Sequence, residues 1–156
     1  MKNIWFFILG ICVLFSCGSG TESSSAGEAE QFQADVMSEE NMAAQAFVTS
    51  ISALAKGMQT GDFNEYAKSV CDSLKADAMK IQAFYGFIPD SAKQSFNEIE
   101  PLLQAKYFQA SIDGETAFVS ISPKGKEKRD ELGIDYESSL DSSVVIKIDG
   151  QWKFCD

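Results

Sequence analysis

Cysteine, tyrosine and aspartate are the residues whose side chains could carry chemistry in this chain. The sequence contains no histidine, which removes the commonest general base and a common metal ligand. Cys71 therefore lacks the histidine that would activate it as a nucleophile. The four cysteines also lack the paired spacing of a metal centre. We expect no catalytic nucleophile, no metal site and no cofactor.

Four side chains remain that could serve as acid, base or oxyanion donor in a buried site. They are Tyr66, Asp72, Tyr85 and Tyr107. Their spacing matches no catalytic set. We expect instead that the tyrosines pack with their hydroxyl groups at the surface and that Asp72 caps a helix. The sequence therefore predicts a protein that is not an enzyme.

The N-terminal residues have the pattern of an export signal. Lys2 is followed by an apolar run, Ile4–Phe15, which is shorter than the ~18 residues that a membrane-spanning helix needs. The run ends in Leu14-Phe15-Ser16-Cys17, which resembles the lipobox of bacterial lipoprotein signal peptides. The resemblance implies that residues 1–16 are removed and that Cys17 carries the lipid. An ordinary signal that happens to contain cysteines is the alternative.

The residues after Cys17 predict where the protein is attached. Position 18 is Gly, not the Asp that retains lipoproteins at the inner membrane of enteric bacteria. The lipoprotein resemblance thus implies a lipid-anchored envelope protein at the outer membrane, facing the periplasm. Residues 17–37 are rich in Gly, Ser, Ala and Glu, a composition typical of a flexible tether. Residues 38–156 then form one folded domain.

Two cysteines remain once the export signal is set aside. Cys12 lies in the signal and Cys17 is assigned to the lipid, which leaves Cys71 and Cys155. An exported protein lies in a compartment where disulfides persist. Nothing in the sequence shows that the two side chains meet, so a Cys71–Cys155 disulfide and a pair of buried thiols both stay open.

The net charge restricts the class of partner. The chain has 13 basic and 23 acidic residues, for a net charge of −10. Nucleic acid is not expected to bind, because its phosphates require Lys and Arg. The one basic cluster, residues 124–129, precedes Asp130-Glu131 and predicts a solvated surface. The acidic surface favours solubility or a basic protein partner.

The first half of the domain predicts helices. Ser38 is a candidate cap for a helix that ends at Gly57 or Gly61. Its apolar positions recur every three or four residues: Ala43, Phe47, Ile51, Leu54 and Met58. Asp62 and Glu65 have the spacing of a capping box for a second helix.

The end of this helical region is less regular. Asp72 is a candidate start for a further helix, so residues 63–84 form either one helix or two. Gly86 and Pro89 interrupt the pattern. Asp90 is a candidate cap for a third stretch from Ser91 to about Glu100.

The second half predicts an antiparallel sheet. Asp113-Gly114 and Asp149-Gly150 each separate two alternating runs, which is a strong signal for a hairpin. The predicted strands are Tyr107–Ile112, Glu115–Ser122, Ser143–Ile148 and Gln151–Cys155. The residues expected to face the helices are Ala117, Val119 and Ile121, then Val144, Ile146 and Ile148, and finally Trp152 and Phe154.

This order of elements predicts the α+β class, with N-terminal helices packed on a curved antiparallel sheet of about four strands. A short helix over Lys126–Leu132, ending at Gly133, is predicted between the hairpins. Trp152 alternates with Phe154 in the last strand. We therefore expect it to pack in the core and not to stack on a ligand.

Three segments resemble the nuclear transport factor two-like superfamily, also called cystatin-like or SnoaL-like. They are Thr60-Gly61-Asp62-Phe63, Ile112–Ala117 and Lys147–Phe154. Within that superfamily the likeness is to small bacterial lipoproteins of unknown function, and it covers residue 39 to the end. The resemblance implies a cone, in which a bent sheet wraps a long helix and the open end often forms a pocket.

The export signal and the superfamily resemblance together predict a non-enzymatic envelope lipoprotein that binds a small apolar ligand or a protein partner. Two alternatives come from other classes. One is a SnoaL-like lyase or isomerase, which needs two ionisable side chains converging in an apolar cavity. The other is an acidic inhibitor or immunity-type protein that captures a basic envelope enzyme. The oligomeric state is left open by the sequence.

Overall fold

The computed structural model describes residues 37–134 and 142–156. The proposed signal, Cys12, Cys17 and nearly all of the proposed tether lie outside the described residues. The predicted α+β class is confirmed. The helices are α1 (Glu39–Thr60), α2 (Asn64–Ser69), α3 (Asp72–Ala83), α4 (Asp90–Ile99) and α5 (Pro123–Glu131). The strands are β1 (Phe108–Asp113), β2 (Thr116–Ile121), β3 (Ser143–Ile148) and β4 (Gln151–Phe154).

Helix α1 is the central element. Ser38 caps its start, where the side-chain oxygen accepts a hydrogen bond from the Asn41 amide at 3.3 Å. Gly61 ends it in the left-handed region at φ 79°. Gly57 lies inside the helix, where an added Cβ would come within 2.7 Å of the Phe63 ring. The glycine at position 57 therefore allows Phe63 to pack against the helix.

The predicted capping box at Asp62 and Glu65 is wrong in part. Asp62 accepts a hydrogen bond from the Asn64 amide at 3.0 Å, as a residue before a helix does. Glu65 does not turn back to the helix start, because its carboxylate pairs with Lys56 of α1 at 2.9 Å. This ion pair between α1 and α2 thus replaces the predicted contact between Glu65 and the start of its own helix.

The region after Asp62 forms two helices, because an extended break separates α2 from α3. Val70 has φ −110° and ψ 166° and forms a parallel β-bridge with Phe154. The next amide, that of Cys71, donates to the Phe154 carbonyl at 2.8 Å. The break thus allows the chain to pair with the end of β4.

Two predicted caps are wrong by one position. Asp72 and Asp90 are the first residues of α3 and α4, and neither helix has a side-chain cap. Their carboxylates pair instead with lysines three residues on, Lys75 at 2.6 Å and Lys93 at 3.3 Å. A negative charge in the first turn still stabilises the helix through its dipole.

The four strands form an antiparallel meander in the order β1-β2-β3-β4, and both predicted hairpins are present. At the second turn, Asp149 and Gly150 have φ values of 51° and 78°. Both turn residues therefore adopt the positive φ that a two-residue hairpin requires. The sheet packs on α1, consistent with a cone-like α+β fold.

The predicted inner face of β3 is wrong. Val145 is fully buried and lies opposite the buried Ala117 of β2, whereas Val144 lies opposite the exposed Phe118. Val144, Ile146 and Ile148 therefore lie on the outer face. The strand has apolar residues on both faces, so alternation alone could not choose between them.

Helix α5 begins earlier than the predicted Lys126. Ser122 caps it by accepting from the Gly125 amide at 3.1 Å, and Gly133 follows its end at φ 66°. Gly125 is buried, and an added Cβ would overlap the Tyr107 carbonyl oxygen. The helix can therefore pack closely on the segment that precedes β1.

Aromatic side chains fill the space between α1 and the sheet. The fully buried Phe47 ring packs edge-on against Phe108 at 5.0 Å and Phe154 at 5.8 Å between ring centroids. Val119 and Val145 are also completely buried. The helix and the inner face of the sheet are thus joined by packed side chains.

Candidate functional site

The four candidate acid–base side chains belong to different local structures. The Tyr85 hydroxyl donates to the carbonyls of Met58 and Gln59, each at 3.0 Å, at the end of α1. This hydroxyl, which was expected at the surface, thus binds the backbone of α1. Asp72 is exposed, and its pKa is lowered by the hydrogen bond from Lys75 and, to a smaller extent, by the charge of Lys153.

The other two candidates are mostly buried. Burial raises the pKa of Tyr66, with a smaller contribution from the charge of Asp77. The Tyr107 ring lies 4.9 Å from the Lys106 ammonium. Among the described residues, no hydrogen bond joins two of the four candidate side chains. They therefore do not form a hydrogen-bonded acid–base pair.

The structure brings the two remaining cysteines together. Cys71 and Cys155 are 84 residues apart in the chain, with their Cα atoms 5.1 Å apart and their sulfur atoms in bonding contact. The pair lies beside the Val70–Phe154 bridge and joins the start of α3 to the end of β4. Of the sequence-predicted site residues, these two are the ones brought together; Cys17 lies outside the described part.

Two of the open grooves among the described residues lie on the solvent side of α1. The larger, of about 670 Å³, follows α1 beside α2 and Leu103. The second, of about 440 Å³, lies between the start of α1 and β4; we call it the β4 groove. Its walls are Met37, Met42 and Ala46 on one side and residues 150–153 on the other, with Lys68 of α2 beside them.

A salt-bridge cluster holds one wall of the β4 groove in place. The Trp152 indole N–H donates to Glu39 Oε2 at 2.9 Å, and Lys147 Nζ lies 2.7 Å from Glu39 Oε1. The Lys147 ammonium also lies 5.6 Å from the Trp152 ring centroid. Trp152 is half-buried. It packs against the core, as expected, but also forms part of the groove.

The same contacts shift the titration of Glu39. Its pKa is lowered by the hydrogen bonds from Lys147 and, next, from Trp152. A carboxyl whose pKa is lower in the folded state contributes stability above its unfolded pKa. That contribution disappears as the pH falls through the folded value.

We predict that Glu39→Gln lowers the free energy of unfolding at about pH 7 and that the difference from wild type shrinks by about pH 3. Urea unfolding at both pH values measures it. Glu40→Gln is the matched control, since Glu40 is exposed and has no described partner. Equal differences at the two pH values would contradict the assigned ion pair.

An exposed aromatic pair lies away from the grooves, where α3 leads into α4. Phe84 and Phe87 have 62% and 85% of their surfaces exposed, with ring centroids 6.4 Å apart. Large exposed apolar side chains are more common at interaction surfaces than elsewhere.

Residues 37–134 and 142–156 contain no group of His, Cys, Asp or Glu that could hold a metal ion. The same residues contain no helix of the length and apolarity needed to cross a membrane. The lining of the β4 groove comes from residues 37–49, 68–69 and 150–153, and sequence reasoning missed it. In the sequence, Trp152 was the one signal of this groove.

Comparisons of the chain with protein-family models, curated proteins and solved structures found no match.

Proposed function

We propose that this protein is a non-enzymatic envelope lipoprotein that is anchored through Cys17 and binds a protein partner with its folded domain. The Leu14-Phe15-Ser16-Cys17 pattern supports the anchor. The Gly- and Ser-rich stretch that follows it supports a tether. The anchor would keep the domain at the membrane surface, and we therefore expect the partner there.

The packed interior is the observation that carries the binding proposal. Phe47, Phe108 and Phe154 occupy the space in which a cone would hold a small apolar ligand. The open surfaces lie outside, along α1. A protein partner fits external grooves better than a small apolar ligand does.

The two alternatives from other classes have less support. The lyase alternative is not favoured, because no hydrogen bond among the described residues joins the acid–base candidates. The inhibitor alternative rests on the net charge and the proposed lipid tether, and no contact in the described part of the folded domain adds to them.

The anchor is tested by replacing the proposed lipid-bearing residue. Cys17→Ser is expected to abolish palmitate incorporation and to release the protein from the membrane fraction. Cys12→Ser is the matched control and is expected to retain both, since Cys12 lies inside the proposed signal. Palmitate incorporation that persists in Cys17→Ser would contradict the assignment.

Partner binding is tested in the cells that naturally produce the protein. A photo-crosslinking amino acid at Thr49, an exposed residue shared by both grooves, is expected to give an adduct with one discrete protein. The same amino acid at the exposed Glu127 of α5 is the control position. The adduct should weaken with Cys17→Ser, because the lipid no longer concentrates the protein at the membrane. No adduct at Thr49 would contradict binding at the α1 surface.

A further inference from the structure

We propose that the unpaired edge of β4 binds an extended, acidic segment of the partner as an added strand. This inference rests on the proposed function and identifies where and how the partner is recognised. The β4 groove runs along this edge. Strand addition of this kind combines main-chain hydrogen bonds, which supply affinity, with side-chain contacts, which supply specificity.

Backbone geometry identifies the free edge. The Phe154 carbonyl points away from β3 and accepts from Cys71, whereas the Cys155 amide points to β3 and donates to Val144 at 3.0 Å. Backbone groups alternate between the two sides of an antiparallel strand. The N–H and C=O of Trp152 therefore point to the same side as the Phe154 carbonyl.

Residues 37–134 and 142–156 cover only one end of this edge. It is helical up to Ser69 and extended at Val70, which pairs with Phe154. Among the described residues, none forms a hydrogen bond to the Trp152 backbone from the groove side. An incoming strand would therefore continue the line that Val70 begins and pair with Trp152.

Charge indicates an acidic occupant. The chain carries a net charge of −10, yet the lining of the β4 groove contains Lys68 and Lys153 and no carboxylate. Neither lysine forms a salt bridge within the described residues, and the charge of Lys153 acts on one carboxylate outside the lining, that of Asp72, whose pKa it helps to lower. The groove is thus positive within an acidic protein, and a carboxylate beside either lysine would be attracted locally.

The walls of the groove suit the apolar side chains of the same segment. Met37 and Met42 have 47% and 37% of their surfaces exposed. Methionine side chains adapt to partners of different shape. Trp152 is already fixed by Glu39, so less conformational entropy is lost when it contacts a ligand. The segment that fits best alternates acidic and apolar residues.

The probe is a labelled nine-residue peptide in which Glu and Val alternate, titrated into the full chain in detergent and followed by fluorescence anisotropy. We expect it to bind at least about tenfold more tightly than the matched Lys–Val peptide, although the protein as a whole is acidic. A central proline in the Glu–Val peptide should weaken binding, because proline lacks the N–H that a strand donates. Equal or tighter binding of the Lys–Val peptide would overturn the inference.

Charge reversal tests the two lysines. Lys68→Glu/Lys153→Glu is expected to weaken binding of the Glu–Val peptide about tenfold or more. Lys124→Glu/Lys126→Glu makes the same change in net charge at exposed positions of α5 and should alter binding by less than about twofold. Equal losses in the two variants would overturn the groove assignment.

Amide hydrogen exchange tests strand addition directly. The Trp152 amide is expected to exchange more slowly with the Glu–Val peptide bound, while the amides of Gln151 and Lys153, which face β3, change little. Binding without protection of Trp152 would overturn the added strand.

Two other occupants of the groove have their own tests. Tighter binding of a peptide of residues 26–36 would assign the groove to the chain's own N-terminal segment and overturn its assignment to a partner. If the wild-type protein dimerises and the Lys68→Glu/Lys153→Glu variant does not, the groove binds a second copy of this chain, and its assignment to a partner is overturned.

The crosslinking experiment separates this inference from the proposed function. If the Thr49 adduct forms at full yield in Lys68→Glu/Lys153→Glu, the partner binds the α1 surface without the β4 edge. The inference then fails while the proposed function stands. If wild type gives no adduct, the proposed function itself fails.

Discussion

Loss of the Cys71–Cys155 bridge is expected to lower the free energy of unfolding by about 2–5 kcal/mol. The two residues are 84 apart in the chain, and in the chain-entropy model a bridge that closes a loop of this length contributes about 4.5 kcal/mol. The bond also joins the Val70 break to the end of β4. Urea unfolding of the oxidised protein and of Cys71→Ser/Cys155→Ser measures the difference.

Reduced wild type is the control for this variant. Its unfolding midpoint should coincide with that of the double serine variant, since both lack the bond and keep the rest of the chain. The Cys71 amide, which donates to Phe154, should also exchange faster once the bond is absent. Alkylation of both thiols in the unreduced protein, found by mass spectrometry, would show that the bridge does not form.

The sequence predicts the elements whose signals are local. Ser38 and Gly61 bound α1 because a cap and a left-handed residue act within one turn of the helix. Asp149-Gly150 places the second hairpin because few residues adopt positive φ. The α+β class follows from the order of these elements along the chain.

The predictions that failed depend on contacts between distant segments. Glu65 satisfies both a capping-box pattern and an ion pair with Lys56, and only the packing of α2 on α1 decides between them. The inner face of β3 depends on its register with β2, which places Val145 opposite Ala117. Neither outcome is encoded within a single window of sequence.

The candidate site was predicted least well, for the same reason. The β4 groove combines the start of α1, Lys68 and the last hairpin, which lie far apart in the chain. Trp152 was visible as an aromatic residue, but its bond to Glu39 joins residues 113 positions apart. The sequence does not locate a free strand edge, because the edge is defined by the absence of a neighbouring strand in the fold.

Phe47→Ala is expected to lower the free energy of unfolding by about 3–5 kcal/mol. Phe47 is fully buried, and its ring contacts Phe108 of β1 and Phe154 of β4, so truncation leaves a cavity between the helix and both edges of the sheet. Phe47→Leu should lose less, because it keeps most of the apolar volume. Urea unfolding measures both variants.

Phe87→Ala is the matched control, because it removes the same atoms from a side chain that is 85% exposed. Its effect is expected to stay within about 0.5 kcal/mol. The comparison also tests the proposed function, which depends on a filled interior. A loss below about 1 kcal/mol for Phe47→Ala would mean that this position does not bury its ring against packed neighbours. The interior would then have room for a small apolar ligand, and that ligand would replace the protein partner as the favoured occupant.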